Sequence, residues 1–317
     1  MKKTVLFYFL FLFTFAANAQ INIGAPGAIK PSTFKKSDME FFQSATTYFV
    51  MRESDKPQQA KIESILNEVW KFNKIKLIDF DQYKKTAHDA NSIFFGLRSY
   101  NYNYQYVTNA DIFGKYTQST TVYVQLWRNE PVKKEGQLEE QIIARINAKF
   151  PYAKNKLLAD FISIEAFEHL CKEDINVPEW NLGVLKNYLQ IINQCMVNNK
   201  SRWVFSSDVD KEQIKNLKKE TLFIDDRVKN LYDSRAKESP LESYPYKHEF
   251  ISMTDLSNKI LESETPFYYM IVYIQGTDKM TNVVNSKTGA IIYSDYKGQA
   301  YFFKDKDVKN LVEEIGK

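Results

Sequence analysis

The chain of 317 residues carries 43 Lys and Arg against 39 Asp and Glu, and 44% of it is hydrophobic. Removal of Lys2 and Lys3 with a leader leaves 41 basic residues against 39 acidic ones, a balance of about +2 that is too small for electrostatic capture of nucleic acid. The apolar fraction suffices for one large core or two of ordinary size, and the ten glycines include no phosphate-cradling loop.

The amino terminus reads MKKTVLFYFLFLFTFAANAQ. Two lysines, an apolar run from Val5 to Ala17 and the small-x-small triplet Ala17-Asn18-Ala19 form the three-part layout of a secretory signal, residues 1–19. The run is short for a membrane span, so mature protein is expected to begin at Gln20, in the periplasm or outside the cell. No cysteine follows the run to carry a lipid, and no later apolar stretch has transmembrane length. The Gly- and Pro-rich NIGAPGAIKPS makes residues 20–43 read as a flexible lead-in.

Residues 44–130 read as a first α/β block. Thr46 to Met51 is β-branched and aromatic, Asp55 and Pro57 open a helix, and Ile62, Ile65, Leu66, Val69 and Trp70 form one apolar stripe. Ile75 to Phe80 returns as a strand, followed by strands over Ser92 to Tyr106 and Thr120 to Trp127. A helix crossing between strands predicts a two-layer α/β sandwich.

From 131 to 216 the pattern turns helical. Leu138, Ile142, Ile143 and Ile146 make one amphipathic face, Leu157 to Leu170 a second helix, and Leu182, Leu185, Leu189, Ile192 and Met196 a third. Tyr188, Ile191 and Cys195 widen the last stripe beyond a narrow dimerisation seam and favour core packing. Cys171 and Cys195 sit in these patterns, where export permits a disulfide and burial equally suits two free thiols. With no CxxC, thiol redox chemistry is not indicated.

Residues 217–317 read as a second block, a worn copy of the first. A shift of 173 places TYFVM on ETLFI, KIKLIDFDQY on KHEFISMTDL, and SIFFGLRSY on TPFYYMIVY, with Ile78 on Ile251, Phe94 on Phe267 and Tyr100 on Tyr273. Pro240 and Pro245 interrupt the segment opposite the first helix, so the second copy is expected to have lost or shortened it. TNVVNSKTGAIIYSDY, residues 281–296, reads as a hairpin whose polar turn ends in a left-handed glycine. The expected class is therefore mixed α+β or α/β: two related sandwich blocks with a helical segment between them.

This layout resembles exported proteins of the Bacteroidota, and the strand-helix-strand opening in residues 44–130 resembles small α/β domains of envelope assembly proteins, the TolB amino-terminal domain and CsgG-type secretion components. The resemblance carries no signature motif, so it assigns no functional residue. The missing lipid-anchor cysteine departs from the CsgG-type pattern.

Catalytic motifs are sparse. Glu165 and His169, four apart on a predicted helix, could share a metal but lack a third ligand. His88 and His248 complete the histidines, GxSxG is absent, and Asp79, Asp81, Asp225 and Asp226 read as turn and strand-end carboxylates rather than an acid/base pair. No cofactor is implied. The stretch YNYNYQY puts Tyr100, Tyr102, Tyr104 and Tyr106 on one face of a strand, with Arg98, Tyr123 and Trp127 as neighbours. Such a row either covers the sheet or stacks on sugar rings. The expectation is a non-enzymatic exported protein that binds an envelope or extracellular protein. The alternatives are a glycan-binding protein using the tyrosine strand, or a hydrolase with a spatially assembled site.

Overall fold

A computed structural model describes residues 21–26, 30–108, 111–131, 138–148, 163–203, 205–233, 239–275 and 278–317, with the backbone alone for 101–108, 111–120, 131, 138, 163–164 and 275. The signal segment lies outside the described residues.

Two six-stranded sheets share one plan. The first comprises β1 (Ile21–Ile23), β2 (Thr46–Val50), β3 (Lys74–Ile78), β4 (Ser92–Thr108), β5 (Asp111–Pro131) and β6 (Leu138–Ala148), in the order β1-β6-β5-β4-β2-β3. The second comprises β7 (Asp208–Val209), β8 (Leu222–Asp225), β9 (His248–Ile251), β10 (Tyr268–Gln275), β11 (Asp278–Asn285) and β12 (Ile291–Lys297), in the order β7-β12-β11-β10-β8-β9. In each, the three strands at one side are parallel and the rest antiparallel. Both α/β blocks expected from the sequence are present.

The shift of 173 reaches helix capping. Helix α1 spans Lys36–Ser44, α2 Gln59–Val69 and α3 Phe80–Thr86. Asp79 caps α3 by accepting from Gln82 N at 2.7 Å; 173 residues on, Ser252 caps the helix Met253–Glu262 by accepting from Asp255 N at 3.1 Å. Phe80 therefore starts a helix rather than ending a strand. Between β8 and β9 the described residues form 3-10 turns at Asp226–Leu231 and Pro240–Ser243, and part of the segment opposite α2 lies outside the described residues.

Helices α4 (Ser163–Lys172), α5 (Leu182–Val197), α6 (Met253–Glu262) and α7 (Asp305–Gly316) complete the chain. One face of the first sheet, with Phe49, Phe95, Leu97 and Val124, packs on α1, α2 and α5 and shares its core with Met253, Leu256 and Tyr269 of the second block. The other face, with Phe94 and Trp127, is covered by α3 and α4 through Tyr83 and Phe167. The first sheet is thus covered on both sides, giving three layers in place of the expected two. The outer face of the second sheet closes on Val308, Leu311 and Ile315 of α7.

The stretch 131–216 is not all helical. β6 occupies Leu138–Ala148 and pairs with β5, with a bulge where Ala144 opposes Leu126 and Ile142 opposes Trp127. The extra residue, Ile143, turns inward beside Ala144 and breaks the period of two, so the apolar spacing imitates a helix. The predicted Leu157–Leu170 helix survives as α4, its first residues lying outside the described ones. Residues 20–43 are not a loose lead-in: β1 adds to β6 with Ile21 and Ile23 buried, and α1 buries Met39 and Phe42.

Helix α5 follows its predicted stripe and is buried between α2 and α6, which settles the stripe as core. Gly183 allows the close crossing on α6: a Cβ there would lie 2.2 Å from the Ser257 carbonyl oxygen, while Gly183 N donates to Ser257 Oγ at 2.9 Å. The β11–β12 hairpin forms as expected, with Gly289 at φ +68°. Its turn docks on the same helix: Asn187 Nδ2 donates to Ser286 O at 2.8 Å, Gln190 Nε2 to Lys287 O at 2.9 Å and Gln194 Nε2 to Thr288 O at 3.3 Å. No described helix is long and apolar enough to cross a membrane.

Candidate functional site

Two of the residues singled out with the tyrosine strand face the interior. Tyr123 and Trp127 are fully buried; Trp127 packs edge-on to Phe167 at 5.7 Å, and Arg98 lies over both rings. Aromatic area that fills a core is closed to a sugar. Half-buried Tyr100 has its hydroxyl engaged, donating to Glu140 Oε2 at 2.5 Å, and its ring lies under the Arg145 guanidinium at 4.5 Å. Arg98 is ion-paired with Glu140 as well. Tyr102, Tyr104 and Tyr106 pair with Ser119, Thr117 and Lys115 along the backbone, and their side chains lie outside the described residues.

Other sequence candidates have local explanations. Asp79 is the helix cap described above, Asp81 is ion-paired to Lys84 at 2.8 Å, and Asp225 is buried against Arg227. Glu165 is exposed and His169 half-buried on α4, and among the described residues no group of three or more metal-ligating side chains occurs. Cys171 and Cys195 are both free thiols; burial pushes the Cys171 thiol up to about 12 and raises Cys195. The disulfide left open by the sequence is absent.

The most built polar site is a cleft of about 350 Å³ where the two blocks meet. Its floor is the carboxyl end of β2, where onward connections of adjacent parallel strands leave on opposite faces: α2 after β2 lies on the inner face and α3 after β3 on the outer one. Loops diverging in this way open a crevice in α/β sheets. One wall is the connection 173–181 between α4 and α5, and the other is α6, through Thr254, Ser257 and Asn258.

Arg52 and Asp55 organise the floor, and both are buried. Arg52 Nη2 donates to Ile175 O at 2.7 Å, tying the strand end to the 173–181 connection. Asp55 Oδ2 accepts from Arg52 N at 3.1 Å and from Trp180 Nε1 at 2.8 Å. The Trp180 ring in turn packs on Phe49 at 5.4 Å, which fixes it against the sheet. Burial raises the Asp55 carboxyl above its ordinary 3.8, opposed by the Trp180 hydrogen bond and the Arg52 charge. Arg52 Nε is buried with no hydrogen-bond partner. Lys61 and Asp174 add exposed charges of both signs at the rim.

A second clasp holds the same connection from the other block. Arg227 Nη2 lies 3.1 Å from Glu179 and 2.7 Å from Asp225, with both carboxylates fully buried. These carboxylates raise the Arg227 guanidinium further above its already high value, against the cost of burial.

The lining of the cleft has no histidine or cysteine, so it offers hydrogen bonds and charge rather than a nucleophile activated by an imidazole. In the sequence Asp55 reads only as a helix start. In comparisons with known proteins, the chain matches no family model, no curated protein and no solved structure.

Proposed function

We propose that the protein is an exported binding protein of the cell envelope, without catalytic machinery of its own, built from two copies of one ancestral α/β unit and holding its ligand in the cleft between them. The observation that carries this reading is the Arg52–Asp55 floor: two buried, oppositely charged groups at the mouth of a parallel strand, with hydrogen-bonding capacity left over. Export rests on the leader-like first nineteen residues. The shared strand order and the caps at Asp79 and Ser252 support the duplication.

The test is native mass spectrometry on protein recovered from the envelope fraction, with sequencing of its amino terminus. The expected result is a chain starting at Gln20 with a non-covalent adduct that Asn258→Trp, which crowds the cleft, removes. A chain that retains Met1 and turns over a substrate in a hydrolase screen overturns the reading.

A further inference from the structure

Resting on the reading of the cleft as the binding site, we propose that it takes a small zwitterion, a free α-amino acid or a dipeptide. Its charged lining is balanced, with Arg52 and Lys61 against Asp55 and Asp174. A simple anion would face two carboxylates and a simple cation two basic groups, whereas a molecule with both charges answers each pair at once.

The unused hydrogen-bonding atoms point the same way. Both bonds to Asp55 fall on Oδ2, which leaves Oδ1 as an acceptor for an ammonium. Arg52 spends Nη2 on a backbone carbonyl and, among the described residues, has no side-chain carboxylate bonded to its guanidinium, a role a ligand carboxylate fills. The arginine is already immobilised by the Ile175 carbonyl, so little side-chain freedom is lost when it engages a ligand. Val177 and Leu261 supply an apolar wall for a side chain. About 350 Å³ lies at the small end of the range for ligand pockets, roughly 300–1,000 Å³, which suits a molecule of this size.

The experiment is isothermal titration calorimetry of the purified full chain with the common amino acids and a set of dipeptides, each compared with its N-acetylated and its amidated form. At least one zwitterion should bind, and blocking either terminus should weaken it at least tenfold. Lys61→Ala and Asp174→Asn, both at exposed positions, should each weaken it about threefold to fivefold without changing the melting temperature. The inference fails if no zwitterion binds, or if blocked forms bind as tightly as the parents. Tight blocked forms that still respond to Lys61→Ala leave the cleft as the binding site and remove only the zwitterion. A ligand indifferent to Lys61→Ala, Asp174→Asn and Asn258→Trp removes the cleft as well.

Discussion

Each block ends a parallel strand in an arginine that grips the connection between α4 and α5, but the two grips differ in kind. In the first block Arg52 bonds a neutral carbonyl and Asp55 accepts an indole N–H. In the second, Arg227 is committed to the two buried carboxylates Glu179 and Asp225. The first grip borders a cleft; the second is an internal ion cluster. An arginine two residues past a parallel strand borders a cleft in one half and forms a rivet in the other, although the shift of 173 sets Arg52 on Asp225 rather than on Arg227. The crossovers diverge likewise. Helix α2 provides the stripe of Ile62, Ile65, Leu66 and Val69 that the shared middle layer needs. The outer face of the second sheet is closed by α7, which packs on the 3-10 turn Pro240–Ser243.

The comparison breaks most visibly at the rivet. Arg227→Ala leaves Glu179 and Asp225 buried without that counter-charge and should lower the unfolding free energy by about 3–5 kcal/mol, measured by urea denaturation. Arg52→Ala should cost less, about 1.5–3 kcal/mol, as loss of a charged hydrogen bond to a carbonyl; equal losses would show the two grips to be alike. Gly183→Ala drives a methyl into the Ser257 carbonyl, and a cost of about 3 kcal/mol at the upper end of overpacking penalties is expected.

A smaller effect distinguishes the grips by pH. Because burial raises Asp55 above 3.8, the folded state holds that proton more tightly than the unfolded state. Its contribution to stability is fully present below pH 3.8 and is lost as pH rises through the folded value. Stability of Asp55→Asn relative to the native chain should therefore increase as pH rises above 3.8, seen as a diverging pair of melting curves; parallel curves would refute the shift. The smallest effect is chemical. Iodoacetamide on native protein should label half-buried Cys195 well before Cys171, whose thiol stands at about 12, and the mass should show two free thiols without reductant.

Much of the architecture could be read from residues alone, since period and capping are local. The α2 and α5 stripes and the β11–β12 turn all follow from spacing and from Gly placement. β6 was illegible because one bulged residue makes its pattern helical, and β1 because three residues are too few to show a period. The tyrosine row announced itself through its period, yet the fate of Tyr123 and Trp127 depended on α4, whose Phe167 closes that face. The cleft left no local trace: Trp180 is 125 positions from Asp55, and only the fold brings the indole to the carboxylate.

Helix α5 has a consequence for how the molecule is made. It touches α2 behind it in the chain and α6 ahead of it, and its Asn187, Gln190 and Gln194 wait for a turn about a hundred residues further on. The core that the two halves share draws on Phe267, Tyr269, Ile271 and Val284, so this layer closes late, and calorimetry should record a single melting event. A polypeptide with so delayed a closure stays threadable until almost its whole length has been delivered.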